Sequence, residues 1–157
     1  MTAFQELSAE STPVELPGRR LARGVARTFA QYGWTSLMEF RLTTGRRVDV
    51  IALAPDGVIT VVEVKSSTAD FRSDQKWWDY LEFCDRFFFA VPAEFPQDLL
   101  PEDCGLIVAD AYGAEILREA PLEKLPAARR KAMTLKFART AAQRLLGHED
   151  PFLGAVG

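Results

Sequence analysis

The sequence predicts an α/β (α+β) fold, with a mixed central sheet flanked by helices and an additional C-terminal helix. Three observations carry that prediction. Patterns follow the order helix, three strands, helix, then further strands. The stretch Val58 to Lys65 is apolar on both faces, as a central strand must be. The segment Arg46 to Ser67 reads as two strands around the tight loop Pro55-Asp56-Gly57.

The chain has 157 residues, 48% of them hydrophobic, which suits one domain with a real core. Residues 1–16 read as a flexible lead-in without periodicity. Residues 17–147 read as a single domain, and residues 148–157 as a frayed tail. The N-terminus lacks a basic region followed by an apolar one, so no secretion signal is expected. No apolar run is long enough to span a membrane. A cytoplasmic, nucleoid-associated location is expected, with Cys84 and Cys104 as buried reduced thiols.

The first helix starts at Pro17 and is capped by Gly33. Leu21, Ala22, Val25 and Phe29 share one stripe, and Arg19, Arg20, Arg23 and Arg27 share the opposite one. That basic stripe is either a phosphate-contacting face or simply a solvated one. Trp34 to Leu42 is the first strand, with Glu39 near its end. Arg46 to Leu53 is the second and Val58 to Lys65 the third. A second helix is expected from Ser73 to Cys84, capped by Ser73 or Asp70, with Trp77, Tyr80, Leu81 and Cys84 facing the core. Gln75, Lys76 and Asp79 then lie on its other side, near the end of the third strand. Arg86 to Val91, Gly105 to Ala109 and Ala114 to Leu117 are short strands of a mixed sheet. The last element, Pro126 to Leu146, is a helix whose stripe of Leu135, Ala138, Ala141, Ala142, Leu145 and Leu146 should face the core. Met133 and Phe137 fall on its basic side, so the helix either bends or packs there too.

A single histidine, His148 in a polar tail, excludes histidine triads and Cys/His zinc sites. Net charge is −3, but its distribution is uneven. Arg19, Arg20, Arg23 and Arg27 fall in one acid-free segment. Lys124, Arg129, Arg130, Lys131, Lys136, Arg139 and Arg144 fall in another. Such local patches set the field a polyanion would feel. Arg19, Arg20, Arg23, Arg27, Arg129, Arg130 and Arg139 are therefore candidate DNA contacts, and Lys76, which could reach the hairpin from the second helix, is a further one.

Equal steps out from the loop place Asp49 opposite Glu63, about 5 Å apart at Cβ. Lys65 lies two residues further on, on the same face. Two hard oxygen ligands at that spacing can hold Mg²⁺ or Mn²⁺, with the Val64 carbonyl as a further ligand. A lysine beside them can orient or deprotonate water and offset charge in a phosphodiester transition state. The bland alternative is a cross-strand ion cluster that only fixes register.

Asp49, thirteen intervening residues and then Glu63-Val64-Lys65 resemble the PD-(D/E)xK nuclease superfamily, with its restriction-endonuclease-like αβββαβ core. More closely, the chain resembles the MmcB family of DNA repair proteins. The segments GRRVDVIAL, VVEVKSS, DFRSDQKWWDYL, CDRFFFAVP and LPEDCGLIVADAYGAEILREAP carry that resemblance across most of the chain. It implies metal-dependent endonuclease action in DNA damage repair. Damaged or branched DNA is the expected substrate, with a repair protein or a second copy of the chain as candidate partners. Two departures stand out. Val48 replaces the usual proline before Asp49, and the first helix lacks the acid many members carry, for which Glu39 is the preferred substitute. The competing class is a weak or inactive nuclease-fold module that binds DNA or a repair partner without cutting. The nuclease reading fails if the Asp49 and Glu63 carboxylates point apart, or if Lys65 is walled off inside the core.

Overall fold

The computed structural model of the chain describes residues 15–73 and 76–154. The expected lead-in over 1–16 and tail over 148–157 fall partly outside those residues, as does Gln75. Helix α1 (Pro17–Gln31) precedes strands β1 (Thr35–Arg41), β2 (Arg47–Leu53) and β3 (Ile59–Val64). A short helix α2 (Thr68–Ser73) and a 3₁₀ segment (Trp77–Phe83) lead to β4 (Arg86–Val91). Then come β5 (Gly105–Ala109), β6 (Ala114–Arg118), α3 (Ala127–Glu149) and α4 (Pro151–Gly154). The six strands form one sheet in sequence order. β3, β4 and β5 are parallel and the other pairings antiparallel. The mixed sheet and the flanking helices are as expected.

Helix α1 ends in a Schellman motif, with Trp34 N–H bonded to Phe29 O and Gly33 N–H to Ala30 O, both at 3.0 Å. Gly33 has a φ of 76°, which only glycine adopts without strain. The apolar stripe of α1 is the buried one: Leu21, Val25 and Phe29 pack on Val50, Val62, Phe88 and Ile107. Gly24 lets the helix lie on the turn before β6, since a Cβ there would sit 1.8 Å from Asp110 O. The opposite face of the sheet presents Ile51, Val61, Phe87 and Phe89 to Tyr80, Phe83, Met133 and Phe137.

Three expectations are corrected. The helix over Ser73–Cys84 is instead α2, capped by Ser67 Oγ accepting Asp70 N–H at 3.1 Å, followed by the 3₁₀ segment. Its period of three aligns Trp77, Tyr80 and Phe83, so Phe83 is buried and Leu81 is 40% exposed. The last helix runs past Gly147 to Glu149, and residues 151–154 of the expected frayed tail are helical. It also turns its other side inward: Met133 and Phe137 are its buried residues, while Leu135 and Leu145 are each 59% exposed. The Phe137 ring on that side packs on the sheet, 6.5 Å from Phe40, and with Met133 it outranks a stripe made half of alanine.

Arg130 is also settled by the fold rather than free for a ligand. Asp85, 2% exposed, accepts Ile59 N–H at 2.7 Å, Leu125 N–H at 2.8 Å and Arg130 Nη1 at 2.7 Å. Arg130 Nη1 also donates to Gly57 O at 2.8 Å. This cluster ties the start of α3 to the hairpin and to the start of β4.

Candidate acidic site at the hairpin end

The hairpin registers as its loop dictates. Gly57 has a φ of 88°, Ala54 N–H bonds Val58 O at 3.0 Å, and pairing runs from Leu53↔Ile59 to Val50↔Val62. One step further, where Asp49 meets Glu63, side chains replace the ladder. Asp49 N–H donates to Glu63 Oε1 at 3.2 Å, and Val64 N–H donates to Asp49 Oδ2 at 2.7 Å.

A kink in the sheet makes this possible. Glu39 has a φ of 52°, a left-handed conformation that side chains rarely adopt. Leu37 and Phe40 of β1 face the same side, as do Val48 and Ile51 of β2, while Met38 and Val50 face the other. Alternation therefore slips in both strands at the row of Glu39 and Asp49. Arg144 of α3 holds the kink, donating to Met38 O at 2.6 Å and Glu39 O at 2.8 Å.

Glu63 and Lys65 are buried, at 4% and 5% exposed, and Asp49 is half-buried. Burial raises the Asp49 pKa above the ordinary carboxylate range. The Val64 N–H and the Lys65 charge pull it back, Asp70 pushes it further up, and a hydrogen bond with Glu63 lowers it. A hydrogen bond thus links the two carboxyl groups, and the charge of the buried Lys65 acts on Asp49. Lys65 N–H bonds Ala90 O of β4 at 2.9 Å. Strand geometry then turns the N–H and carbonyl of Val64 the other way, toward Asp49. Asp70 is the acid that sequence reasoning placed only as a cap. Its Oδ2 accepts Ser66 N–H at 3.3 Å, and Ser67-x-x-Asp70 directly after the third strand was the available signal.

Other predicted residues lie apart. Glu39 points to Arg19, with Nη1 and Oε2 3.3 Å apart. Among the described residues, no group of three or more His, Cys, Asp or Glu side chains converges for a metal ion. Arg23 is paired with Glu15. Arg129 stacks 4.8 Å over Phe83 and lies 3.9 Å from Glu82. Lys76, Arg27 and Arg139 are exposed. Arg20 lines a cleft of about 810 Å³, together with Ser66, Pro92 and Asp110, at the carboxyl ends of the parallel strands. Open α/β sheets bind ligands at such ends, and the cleft stops one residue short of Lys65. Both cysteines are buried free thiols, and burial pushes the Cys104 pKa up to about 12. No helix among the described residues is long and apolar enough to cross a membrane.

A family model described as DNA repair protein MmcB-like matches residues 15–152. No curated protein matches the chain. A solved structure of a protein of unknown function from Silicibacter pomeroyi is 55% identical, with a TM-score of 0.86. The match covers 88% of this chain and 94% of that one.

Proposed function

We propose, for a chain that belongs to the MmcB-like family of DNA repair proteins, metal-dependent hydrolysis of DNA phosphodiesters in damage repair. The supporting observation is the Asp49–Glu63 carboxyl pair with Lys65 acting on Asp49, at the end of the β2–β3 hairpin. Two carboxylates and the Val64 carbonyl are a donor set that fits Mg²⁺ or Mn²⁺, hard cations that keep several waters. Such a cation supplies Lewis-acid polarisation of the phosphate and a more acidic bound water. The chain's own residues do the rest. Asp49 and Glu63 set the negative field that admits a cation at this point. Lys65 places a compact positive charge where a scissile phosphate gathers negative charge. Arg20, Arg27, Lys76 and Arg139, together with Arg19, Arg23 and Arg129, offer phosphate contacts that position DNA without reading its sequence. A nucleoid location follows from that substrate.

Access favours a second reading. Glu63 and Lys65 are nearly sealed, so DNA must approach through Asp49 or displace α2, none of whose residues is buried. Glu39, the substitute for the missing helix acid, is engaged by Arg19. A module of this fold that binds DNA or a repair partner without cutting is consistent with both facts.

The deciding experiment is a panel of flap, nicked, branched and single-stranded DNA with Mg²⁺ and with Mn²⁺. Cleavage that disappears in Asp49→Asn and Lys65→Ala, with folding intact, supports the nuclease. Equal residual activity in wild type and variants sinks it. Binding that survives both substitutions and falls steeply with salt supports the second reading.

A further inference from the structure

Helix α3 exposes the stripe its sequence reserves for packing. Of its 23 residues only Met133 and Phe137 are buried. Leu135 and Leu145 are each 59% exposed, and Ala138 and Ala142 between them are exposed as well. An apolar stripe left open along a long helix marks an interaction surface.

We propose that this stripe docks a second copy of the chain, as an antiparallel pair of α3 helices about a two-fold axis level with Thr140. The occupant follows from the order of the residues. A two-fold interface must be self-complementary, so that when residue i meets j, j also meets i. Leu135, Ala138, Ala142 and Leu145 are palindromic about position 140. In an antiparallel pair each Leu135 meets Leu145 of the second copy, and each Ala138 meets Ala142. Their steps of three, four and three are the seam spacing of paired helices. Alanines at the centre let the two helices approach to about 8 Å.

Charge complementarity fixes the same register independently. One seam step outward on each side stand Lys131 and Glu149, both exposed. They lie equally far from position 140, so the antiparallel pair brings each lysine to the glutamate of the second copy. A parallel pair would set Lys131 against Lys131 and Glu149 against Glu149. A groove of about 670 Å³ runs beside Lys131, Leu135 and Ala138. Leu146 and, on α4, Phe152 and Leu153 are 49%, 89% and 54% exposed and extend the apolar surface. This pairing is independent of whether the acidic site cuts DNA.

Light scattering behind size exclusion tests the proposal on the full chain at tens of micromolar. The wild type should run at twice its 17.5 kDa monomer mass. Ala142→Glu, which changes an exposed position, should raise the dimer dissociation constant at least tenfold with circular dichroism and thermal unfolding of the monomer unchanged. Lys131→Glu should weaken the dimer, and Lys131→Glu combined with Glu149→Lys should restore it. A monomeric wild type at those concentrations overturns the proposal and leaves the stripe to a different protein. A dimer indifferent to Ala142→Glu, or a charge reversal without rescue, overturns it equally.

Discussion

Replacing Asp49 by asparagine separates a functional acid pair from a structural ion cluster. The carboxylate is half-buried, and burial, the largest influence on it, raises its pKa, with Asp70 adding to the rise. A group whose folded pKa is raised binds its proton more tightly when folded. Stability therefore falls as pH climbs from the unfolded value, about 3.9, through the raised folded one, and the whole penalty is present above that. Asparagine carries no charge to desolvate, which recovers about 2 kcal/mol for a partly buried ion. Its amide oxygen still accepts Val64 N–H, but losing the charge-assisted character costs about 1 kcal/mol. The net gain is about 1 kcal/mol, or a Tm higher by about 2–4 °C at pH 8, shrinking toward pH 5. Differential scanning fluorimetry across that pH range reads it directly. Mg²⁺ supplies a second readout: 10 mM metal against a Kd of ~1 mM should add about 1.4 kcal/mol to the wild type and little to the variant. A variant that melts lower than wild type at pH 8, with no metal-dependent difference, would show that Asp49 is a partner of Lys65 in a register-fixing cluster, and the site reasoning would fail.

The buried pair is expected to behave in the opposite sense. Burial alone would raise the Asp85 pKa, but the bonds from Arg130, Ile59 N–H and Leu125 N–H together hold it below the ordinary range. Its contribution is thus present above the unfolded pKa and lost only as pH falls through the depressed folded one. Asp85→Asn should cost about 3–5 kcal/mol in urea unfolding, constant from pH 5 to 8, and a cost under ~1 kcal/mol would refute the assignment. At the kink, Glu39→Gly should leave stability within ~0.5 kcal/mol of wild type, because relief of the left-handed φ offsets the flexibility of glycine. Glu39→Val should lose about 1–2 kcal/mol. The reverse order, which an ordinary strand would give, would deny that the kink is real.

Much of this fold is legible in local pattern. The side of α1 that packs follows from its 3.6-residue period, and the meeting of Asp49 with Glu63 from the length of a three-residue loop. Both depend on neighbours in sequence, so the sequence carries them whole. The 3₁₀ segment is legible only in hindsight, because Trp77, Tyr80 and Phe83 at steps of three mimic a helix with one residue misplaced. Asp70 was hidden by its capping role.

What the sequence by itself determined is the order of the elements, the central third strand, and the meeting of Asp49 with Glu63 at the hairpin end. Only the tertiary structure decided that Glu39 turns to Arg19, that Arg130 belongs to Asp85, and that α3 buries Met133 and Phe137 rather than its leucine stripe. The physical reason is the same in all three. An exposed-looking charge or a two-sided helix has several partners of similar worth, and the choice among them is made by whichever surface the rest of the chain leaves within reach.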